Sequence, residues 1–477
     1  MKISKKDLFL LPALIAGLGL MPASQVSAQT FTTLHHFGGS PSDGSNPFAG
    51  LVLSGDTLYG AAWTGGSSGS GAVFAVNANG TGYTNLHHFS YSSDGSSPYA
   101  GLILSGGTLY GTTYFGGGDG NGTIFSVNTN GSGFANLHDF AVRDGANPYA
   151  GLILSGGTLY GTTGKGDSAG SGTLFSVGTN GSGFTNPLAF TGGNGATPHA
   201  GLILFGSTLY GTTGKGGSSG NGVIFAINTD GTSFTNLHNF SAVAGAAFTN
   251  SDGANPYARL LLAGGTLYGT TYAGGIAGNG TVFAINTDGT GFTNLHSFAG
   301  GTPIDTNEDG IIYANSDGIN PNGGLVMSGN ALFGTAVNGG SAGEGAVFAV
   351  NTDGSGFTNL YNFTGGGDGA GPLAGLILSG NTLYGTARAG GSSSAGTVFS
   401  LSFAPQLTII PSGANVILTW PTNVAGFDYT ALTLRSTTNL ILPSVWSTVS
   451  TGPFVVNGQN SVTNPVSGTQ RFYRLSR

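Results

Sequence analysis

The sequence predicts an all-β chain: a seven-bladed β-propeller closed by its N-terminal strand, with a small β-sandwich behind it. The first observation is a repeat of about 50 residues, which is a period typical of propellers and solenoids. Each copy holds four short apolar runs separated by glycine-rich turns, and four strands make one propeller blade. The clearest marker of the repeat is the triplet Leu-Tyr-Gly, once Leu-Phe-Gly, which begins at Leu58, Leu109, Leu159, Leu209, Leu267, Leu332 and Leu383.

The copy from Gly101 to Phe140 shows the four runs most plainly. They read GLIL, TLYGTT, TIFSVN and FANLHDF. The first run is apolar after its glycine, as expected of a strand that is covered on both faces. Asn-Gly and Asp-Gly pairs between the third and fourth runs favour hairpin turns with positive φ. Each copy therefore predicts one four-stranded antiparallel sheet.

The order of the runs predicts how the two ends of the chain meet. The fourth run occurs first at Phe31, before any first run, whereas the last copy ends after its third run at Phe403. The N-terminal strand can therefore complete the last sheet. Pro187 lies in a fourth run, and proline is tolerated at the edge of a sheet. The fourth run is thus predicted to be outermost.

Residues 1–28 have the features of a signal peptide. Three lysines precede an apolar stretch from Leu8 to Met21, and small residues before Gln29 suit cleavage. No later stretch is apolar and long enough to span a bilayer. We therefore expect an exported monomer, secreted or held at the cell surface, with residues 29–403 as the propeller.

Charge and cysteine content exclude several classes of function. The chain has 12 basic and 19 acidic residues, and cleavage would remove three lysines but only one aspartate, so the mature chain is acidic. Nucleic acid is excluded as a partner because phosphate binding needs clustered Lys and Arg. The chain has no cysteine, which excludes thiol nucleophiles, cysteine-ligated zinc and iron–sulfur clusters.

Three segments resemble the GloVer tandem repeat of exported bacterial proteins. They are NxxGxxFTNLHxF at Asn228 to Phe240, a close match to SDGxNPYAGL at Ser251 to Leu260, and LSGNTLYGT at Leu378 to Thr386. The resemblance covers residues 31 to 403 and is specific to the repeat. It implies an extracellular location, and no activity is known to follow from the repeat alone.

Residues 404–477 have a different composition and lack the repeat. Short β-runs around Trp420 and Trp446 resemble a fibronectin-like or immunoglobulin-like sandwich, with the two tryptophans in its core. The ending also resembles the C-terminal modules of some exported bacterial proteins. We expect it to serve as a spacer or in secretion.

Candidate ligand-binding residues follow the second strand, in loops on the face of the propeller that carries the longer connections. Aromatic platforms with a few cations suit sugar rings and anionic glycans. Free variation of loop residues is the alternative explanation. The candidates are Trp63, Tyr114, Lys165, Lys215, Tyr272 and Arg388.

Histidines and aspartates also recur once per repeat. The histidines share one position in the fourth run, on the outer edges of different blades, so a structural role is expected rather than a metal ring. The aspartates precede glycine in the loops between repeats, where an Asx-turn role suffices, although a ring of carboxylates near the channel remains open. The two sets are His35, His87, His138, His238 and His296, and Asp43, Asp94, Asp144, Asp252, Asp317 and Asp368.

An insertion in the sixth copy resembles the start of a calcium loop. The segment DTNEDG from Asp305 places oxygen ligands at Asp305, Asn307 and Asp309. The usual twelfth-position glutamate is Ser316, with Asp317 one residue further on. Calcium is thus a candidate ligand, and no other cofactor is expected; an acidic solvated loop is the alternative.

The favoured function is recognition of an extracellular glycan, or of another extracellular polymer or protein, without chemistry. The sequence has no Gly-x-Ser-x-Gly elbow, HExxH motif or phosphate loop, so we expect no enzyme activity. Two alternatives stay open: a polysaccharide-degrading lyase or hydrolase that uses loop carboxylates, and a structural scaffold at the cell surface.

Overall fold

The computed structural model describes residues 28–39, 41, 43–166, 169–307, 310–438, 445–449, 452–465 and 471–476. All but the last residue of the predicted signal peptide, and Asp309, lie outside these ranges. The described residues are all-β, as predicted. None of them forms a helix with the length and apolar character that crossing a membrane would take. The chain divides into two compact units, Phe31–Ser400 and a second unit that contains the residues from Leu401 onward.

Seven sheets of the described residues share one antiparallel pattern, and we number them in chain order. The first strand of each sheet is short and the second carries the Leu-Tyr-Gly triplet. The first strands are Val52–Ser54, Ile103–Ser105, Ile153–Ser155, Ile203–Phe205, Leu261–Ala263, Val326–Ser328 and Ile377–Ser379. The second strands are Thr57–Ala62, Thr108–Thr113, Thr158–Thr163, Thr208–Thr213, Thr266–Thr271, Ala331–Asn338 and Thr382–Ala387.

The third strand pairs with the second, and the fourth lies at the outer edge. The third strands are Ala72–Asn77, Thr123–Asn128, Thr173–Gly178, Val223–Asn228, Thr281–Asn286, Ala346–Asn351 and Thr397–Ala404. The fourth strands of sheets 1 to 6 are Thr84–His88, Ala135–Asp139, Thr185–Ala189, Thr235–Asn239, Thr293–Ser297 and Thr358–Asn362. Pro187 lies in one of these edge strands, where its missing N–H leaves no gap in the ladder.

The outer strand of sheet 7 comes from the start of the chain. Ala28–His36 pairs with Thr397–Ala404, which gives sheet 7 the same four-stranded order as the others. Behind this strand, Leu34 and Phe37 pack in one cluster with Leu58 and Phe74 of sheet 1. The N-terminal strand thus lies where the order of the runs predicts it.

The glycine of the Leu-Tyr-Gly triplet makes room for the third-strand phenylalanine. An added Cβ at Gly161 would lie 2.5 Å from Cζ of Phe175 and 2.9 Å from Cδ2 of Leu152. The same close approach recurs at the triplet glycine of every other sheet. Leu159 and Phe175 are fully buried. The repeat signature is therefore a packing requirement. Burial of each large apolar side chain contributes about 2 kcal/mol to the stability of the fold.

Three smaller elements lie outside the common pattern. Gly44–Ser45 pairs with Thr64–Gly65. Thr302–Asn307 and Gly310–Ala314 form a hairpin before sheet 6. Ile319–Pro321 adds a fifth strand to that sheet.

The C-terminal residues form three sheets of their own, of four, three and two strands, around a small core. Val416, Leu418, Trp420, Leu434 and Val462 pack together, with Trp420 fully buried as predicted. Trp446 is half-buried, and the Arg474 guanidinium lies 4.3 Å from its ring centroid. The strands are Thr408–Ser412, Asn415–Pro421, Asn423–Val424, Phe427–Asp428, Thr433–Thr437, Ser447–Thr448, Phe454–Val456, Gln459–Pro465 and Phe472–Ser476.

Candidate functional site

A cavity of about 620 Å³ lies among the first strands of all seven sheets. Gly50 and Leu51 line this cavity, and Ala49 beside them is buried. Phe48 lies two residues before Gly50 in the chain. The equivalent residue in each sheet directly follows a proline.

Five of these residues after proline form a continuous row of rings, which we call the aromatic arc: Phe48, Tyr99, Tyr149, His199 and Tyr257. Ring centroids are 5.2 Å apart for Phe48–Tyr99, 5.0 Å for Tyr99–Tyr149, 4.0 Å for Tyr149–His199 and 5.0 Å for His199–Tyr257. All five side chains are half-buried. Partly accessible aromatic rings are suited to stacking against the apolar faces of a ligand.

Sequence reasoning missed the aromatic arc. The motif that contains it, Asn-Pro-Tyr-Ala-Gly, was noted only as a mark of the repeat. The available signal was an aromatic residue after proline in successive copies, in contrast to Asn322 and Leu373 in sheets 6 and 7.

Asparagine lies two residues before the arc position in four sheets, three of which contribute a ring to the arc. The side-chain amide of Asn147 donates to the carbonyl oxygen of Tyr114 in the preceding sheet, at 3.0 Å. Asn46 makes the same bond to the carbonyl of Arg388, at 3.1 Å, and so joins sheet 1 to sheet 7. The four residues have positive φ, which asparagine adopts more readily than most residues. They are Asn46, Asn147, Asn255 and Asn320, with φ of 53°, 54°, 57° and 60°.

The predicted ligand-binding residues fall into two sets. Trp63 and Tyr272 contact the aromatic arc, with centroids 5.4 Å from Tyr99 and 5.6 Å from Tyr257. Tyr114 also joins it, 4.5 Å from Tyr149, but is only 7% exposed, so its ring supports the arc from behind.

The predicted cations also fall into two sets, which differ in position along the chain and in exposure. Arg388 occupies the position equivalent to Tyr114 and is half-buried. Lys165 and Lys215 lie one residue further along the chain and are exposed. Arg388 and Lys215 are both near enough to lower the pKa of an arc residue, Tyr99 and His199 respectively.

Burial and positive charge set the protonation states in the arc. Burial, together with the charge of Lys215, lowers the pKa of His199 to about 4, so its imidazole is neutral at neutral pH. Its Nε2 is buried and has no hydrogen-bond partner among the described residues. Burial raises the pKa of Tyr99 to about 12, although Arg388 opposes this rise. The arc is therefore an uncharged aromatic surface with cations beside it.

The repeats of this chain match one known family over most of their length. Residues 19–213, 206–315 and 310–415 match the model of the Gloeobacter/Verrucomicrobia repeat. The chain belongs to this family. The match confirms the resemblance to the GloVer tandem repeat, and the family is a bacterial one.

Solved structures are similar to this Gloeobacter/Verrucomicrobia repeat protein only at low identity. An oligogalacturonate lyase in complex with manganese is 11% identical over 80% of this chain and 94% of that one, with a TM-score of 0.48. An oligogalacturonate lyase from Vibrio parahaemolyticus is 10% identical over 78% and 93%, with a TM-score of 0.45. A nidogen/laminin complex is 16% identical over 51% and 78%, with a TM-score of 0.35. At these scores the likenesses carry no argument about function. No curated protein matches the chain.

The recurrent histidines and aspartates of the repeat form pairs. Nε2 of each histidine faces the carboxylate of the loop that follows, for example His238 and Asp252 at 2.9 Å. Asp252 also accepts from the Ser241 N–H at 3.0 Å. The complete set is His35–Asp43 at 3.2 Å, His87–Asp94 at 2.9 Å, His138–Asp144 at 3.4 Å, His238–Asp252 at 2.9 Å and His296–Asp317 at 3.0 Å.

This pairing explains both motifs without a ligand. The histidines lie on edge strands and do not converge, as predicted. Five of the six loop carboxylates face an edge-strand histidine, with Nε2 to oxygen distances of 2.9 to 3.4 Å, so their partner lies within the repeat rather than in a ring of carboxylates. In sheet 6 a tyrosine replaces the histidine, and Oη of Tyr361 donates to Asp368 at 3.0 Å.

The predicted calcium ligands lie on a hairpin and a neighbouring loop. Asp305 and Asn307 belong to the strand Thr302–Asn307, whereas a calcium loop needs a continuous turn. Asp317 is bonded to His296 and to the Ala299 N–H, at 3.0 Å each. In the part of the chain that is described, no three His, Cys, Asp or Glu side chains cluster as a metal site. Calcium binding remains a prediction that calorimetric titration of the full chain tests.

Proposed function

We propose that the seven sheets are the blades of a closed β-propeller, and that the aromatic arc binds the sugar rings of an extracellular glycan. The single observation that carries the binding proposal is the arc itself. Five rings contributed by five successive sheets form one row, and each lies two residues before a residue that lines the 620 Å³ cavity; Trp63 and Tyr272 pack against this row. Sites of this volume suit small saccharides.

Contacts between sheets 7 and 1 support the closed ring. Oγ1 of Thr386 donates to the Ala49 carbonyl at 3.0 Å. A Cβ added at Gly50 would lie 3.4 Å from the carbonyl oxygen of Gly375. The equivalent contacts join consecutive sheets elsewhere, for example Thr335 to Ala374 at 3.0 Å. The first and last sheets thus meet as any two neighbours do.

The loop aspartates favour a protein that binds a glycan without cleaving it. A glycosidase needs two carboxylates that face the scissile bond. Loop carboxylates of this chain instead face edge-strand histidines in five sheets, and four of these pairs are hydrogen-bonded. We further propose that the chain is exported by residues 1–28 and acts outside the cell, in keeping with its bacterial repeat family.

A binding screen tests this proposal. The full mature chain is applied to a broad set of polysaccharides, and hits are repeated with Tyr99→Ala and Trp63→Ala. The matched control is Phe205→Ser, which removes a 56% exposed ring at the far end of a first strand and installs the residue found there in most other sheets. We expect the two arc variants to lose about tenfold or more in affinity, since each aromatic contact contributes about 1–1.5 kcal/mol, and the control to bind as wild type. Absence of any hit, or equal loss in the control, would favour the scaffold alternative.

A further inference from the structure

One residue in the cavity departs from the repeat. The third position after the proline is glycine in six sheets, and these glycines approach one another across sheet boundaries. A Cβ on Gly101 would lie 3.3 Å from the carbonyl oxygen of Gly50, and one on Gly151 would lie 3.2 Å from that of Gly101. In sheet 5 this position holds Arg259. Glycine therefore satisfies the fold here, and arginine is not needed to build the ring.

The Arg259 side chain projects into the cavity. Its Cδ lies 3.4 Å from the position a Cβ would take on Gly201, and the residue lines the cavity while retaining contact with solvent. The layer beyond it is apolar and includes Ile153, Ile203 and Leu261. None of the described residues that line the cavity is acidic.

The guanidinium has no partner of its own. Among the described residues it makes no hydrogen bond or ion pair, and Arg259 is exposed, so its donors are accessible from solvent. Desolvation by the surrounding protein lowers the pKa of Arg259 from its ordinary value, yet arginine stays protonated in proteins. The cavity thus holds a fixed positive charge with free donors.

We propose that Arg259 is the receptor for an oxyanion group, the carboxylate or sulfate of an acidic saccharide whose ring stacks on the aromatic arc. This inference rests on the proposed function. Tyr257 of the aromatic arc lies two residues before Arg259 in the chain, and Cδ of Arg259 lies 3.4 Å from the position a Cβ would take on Gly201, two residues after His199 of the arc. A planar guanidinium presents donors in a fork that matches two oxygens of such a group. Arg388 adds positive charge beside the arc, near enough to affect the pKa of Tyr99.

The variants exploit the repeat itself. Arg259→Gly installs the residue of the other six sheets, and Arg259→Met removes the charge but keeps the length of the side chain. Arg143→Met is the control, since Arg143 is an exposed cation of a loop between sheets. Thermal unfolding of each variant verifies that the fold is intact, and Arg259→Gly remains interpretable if Arg259→Met is perturbed.

The probes separate charge from ring stacking. Calorimetry compares an oligouronide, its neutral methyl ester, and a sulfated and an unsulfated oligosaccharide of equal length. We expect wild type to prefer an anionic probe over its neutral counterpart by about 10- to 100-fold. Both Arg259 variants should abolish that preference and leave binding of the neutral probes unchanged, whereas Arg143→Met keeps it. If the oligouronide binds more tightly than its methyl ester, the recognised group is a carboxylate. If the sulfated oligosaccharide binds more tightly than the unsulfated one, the group is a sulfate. Equal binding of charged and neutral probes by wild type, or an anion preference that survives in both variants, would overturn the inference and leave glycan recognition standing.

Failure of the proposed function has a different signature. If no saccharide binds, sodium acetate and sodium sulfate are titrated while the Nε–Hε resonance of Arg259, assigned by its loss in Arg259→Gly, is followed by NMR. A saturable shift at millimolar anion supports the oxyanion site without the glycan. A resonance that does not move overturns the site as well.

Discussion

The imidazole of His35 lies flat on the ring of Tyr83, with centroids 3.7 Å apart and planes within 2°. His35 belongs to the N-terminal strand in sheet 7, and Tyr83 directly precedes the fourth strand of sheet 1. The same stack joins other neighbouring sheets, for example His87 on Phe134 at 3.7 Å. In each case the histidine also faces the aspartate of the following loop. Each of these histidines therefore contacts the aspartate of the loop that follows it and also packs against the neighbouring sheet.

Replacing His35 with alanine should destabilise the chain by about 2 kcal/mol, because it removes both the aromatic stack and the hydrogen bond to Asp43. The neighbour His36 is exposed and projects to the other side of the strand, so His36→Ala should cost less than about 0.5 kcal/mol. Urea unfolding of the two variants measures the difference. Equal effects would mean that the stack to Tyr83 does not stabilise the junction of sheets 7 and 1.

Stability should fall on acidification in two stages. Desolvation lowers the pKa of His87 and His138 below the ordinary 6.5, so below that pH the unfolded chain binds more protons than the folded one and stability declines. Asp43 and Asp252 act at lower pH. Burial tends to raise their pKa, but hydrogen bonds outweigh it and hold the pKa below 3.8, so their contribution is lost as pH falls further.

His87→Tyr tests the histidine stage. Tyrosine is the residue of sheet 6 at this position, where it keeps both the stack and the bond to aspartate. The variant should therefore lose part of the stability slope between about pH 5 and 7 while remaining close to wild type at pH 8. Urea unfolding across this range measures the slope. An unchanged slope would show that His87 does not contribute.

Asn147→Ala should destabilise the chain by about 2 kcal/mol. The substitution removes the buried hydrogen bond to the Tyr114 carbonyl and places alanine at a φ of 54°. Asn147→Gly should lose only the hydrogen bond, or about 1 kcal/mol, because glycine tolerates positive φ. Thermal unfolding ranks the two variants. If Asn147→Gly were less stable than Asn147→Ala, the positive φ would not be what restricts the residue type at this position.

Gly161→Ala should cost about 1–3 kcal/mol, since the added methyl group would overlap the ring of Phe175. Gly193 offers a control: a Cβ there would meet no atom within 4 Å, and Gly193→Ala should lie within about 0.5 kcal/mol of wild type. Chemical denaturation of both variants measures the contrast. A Gly161→Ala variant as stable as the control would show that the triplet glycine is not a packing requirement.

Much of the architecture could be predicted because its signals are local. The Leu-Tyr-Gly triplet marks the second strand in each sheet, Pro187 marks an edge strand, and the early fourth run at Phe31 indicates the partner of the last sheet. Hydrophobic periodicity and turn chemistry depend on residues that are close in sequence. The same pattern recurs in all seven copies, so each copy supports the strand prediction made from the others.

The candidate site could not be predicted in the same way. Of the predicted ligand residues, Trp63, Tyr114 and Tyr272 contact the aromatic arc, whereas the sequence did not indicate the arc's own rings. The histidine and aspartate motifs appeared separate because 8 residues part His35 from Asp43 but 21 part His296 from Asp317. Only the folded sheets place both pairs at the same distance.

The sequence alone determined the strands, their order within each repeat and the family of the chain. The tertiary structure decided which side chains meet: it assembles the arc from Phe48 to Tyr257 across five sheets and places Arg259 in the cavity among glycines. The physical reason is that strand formation depends on neighbours along the chain. The environment of a side chain at the centre depends instead on atoms contributed by all seven sheets.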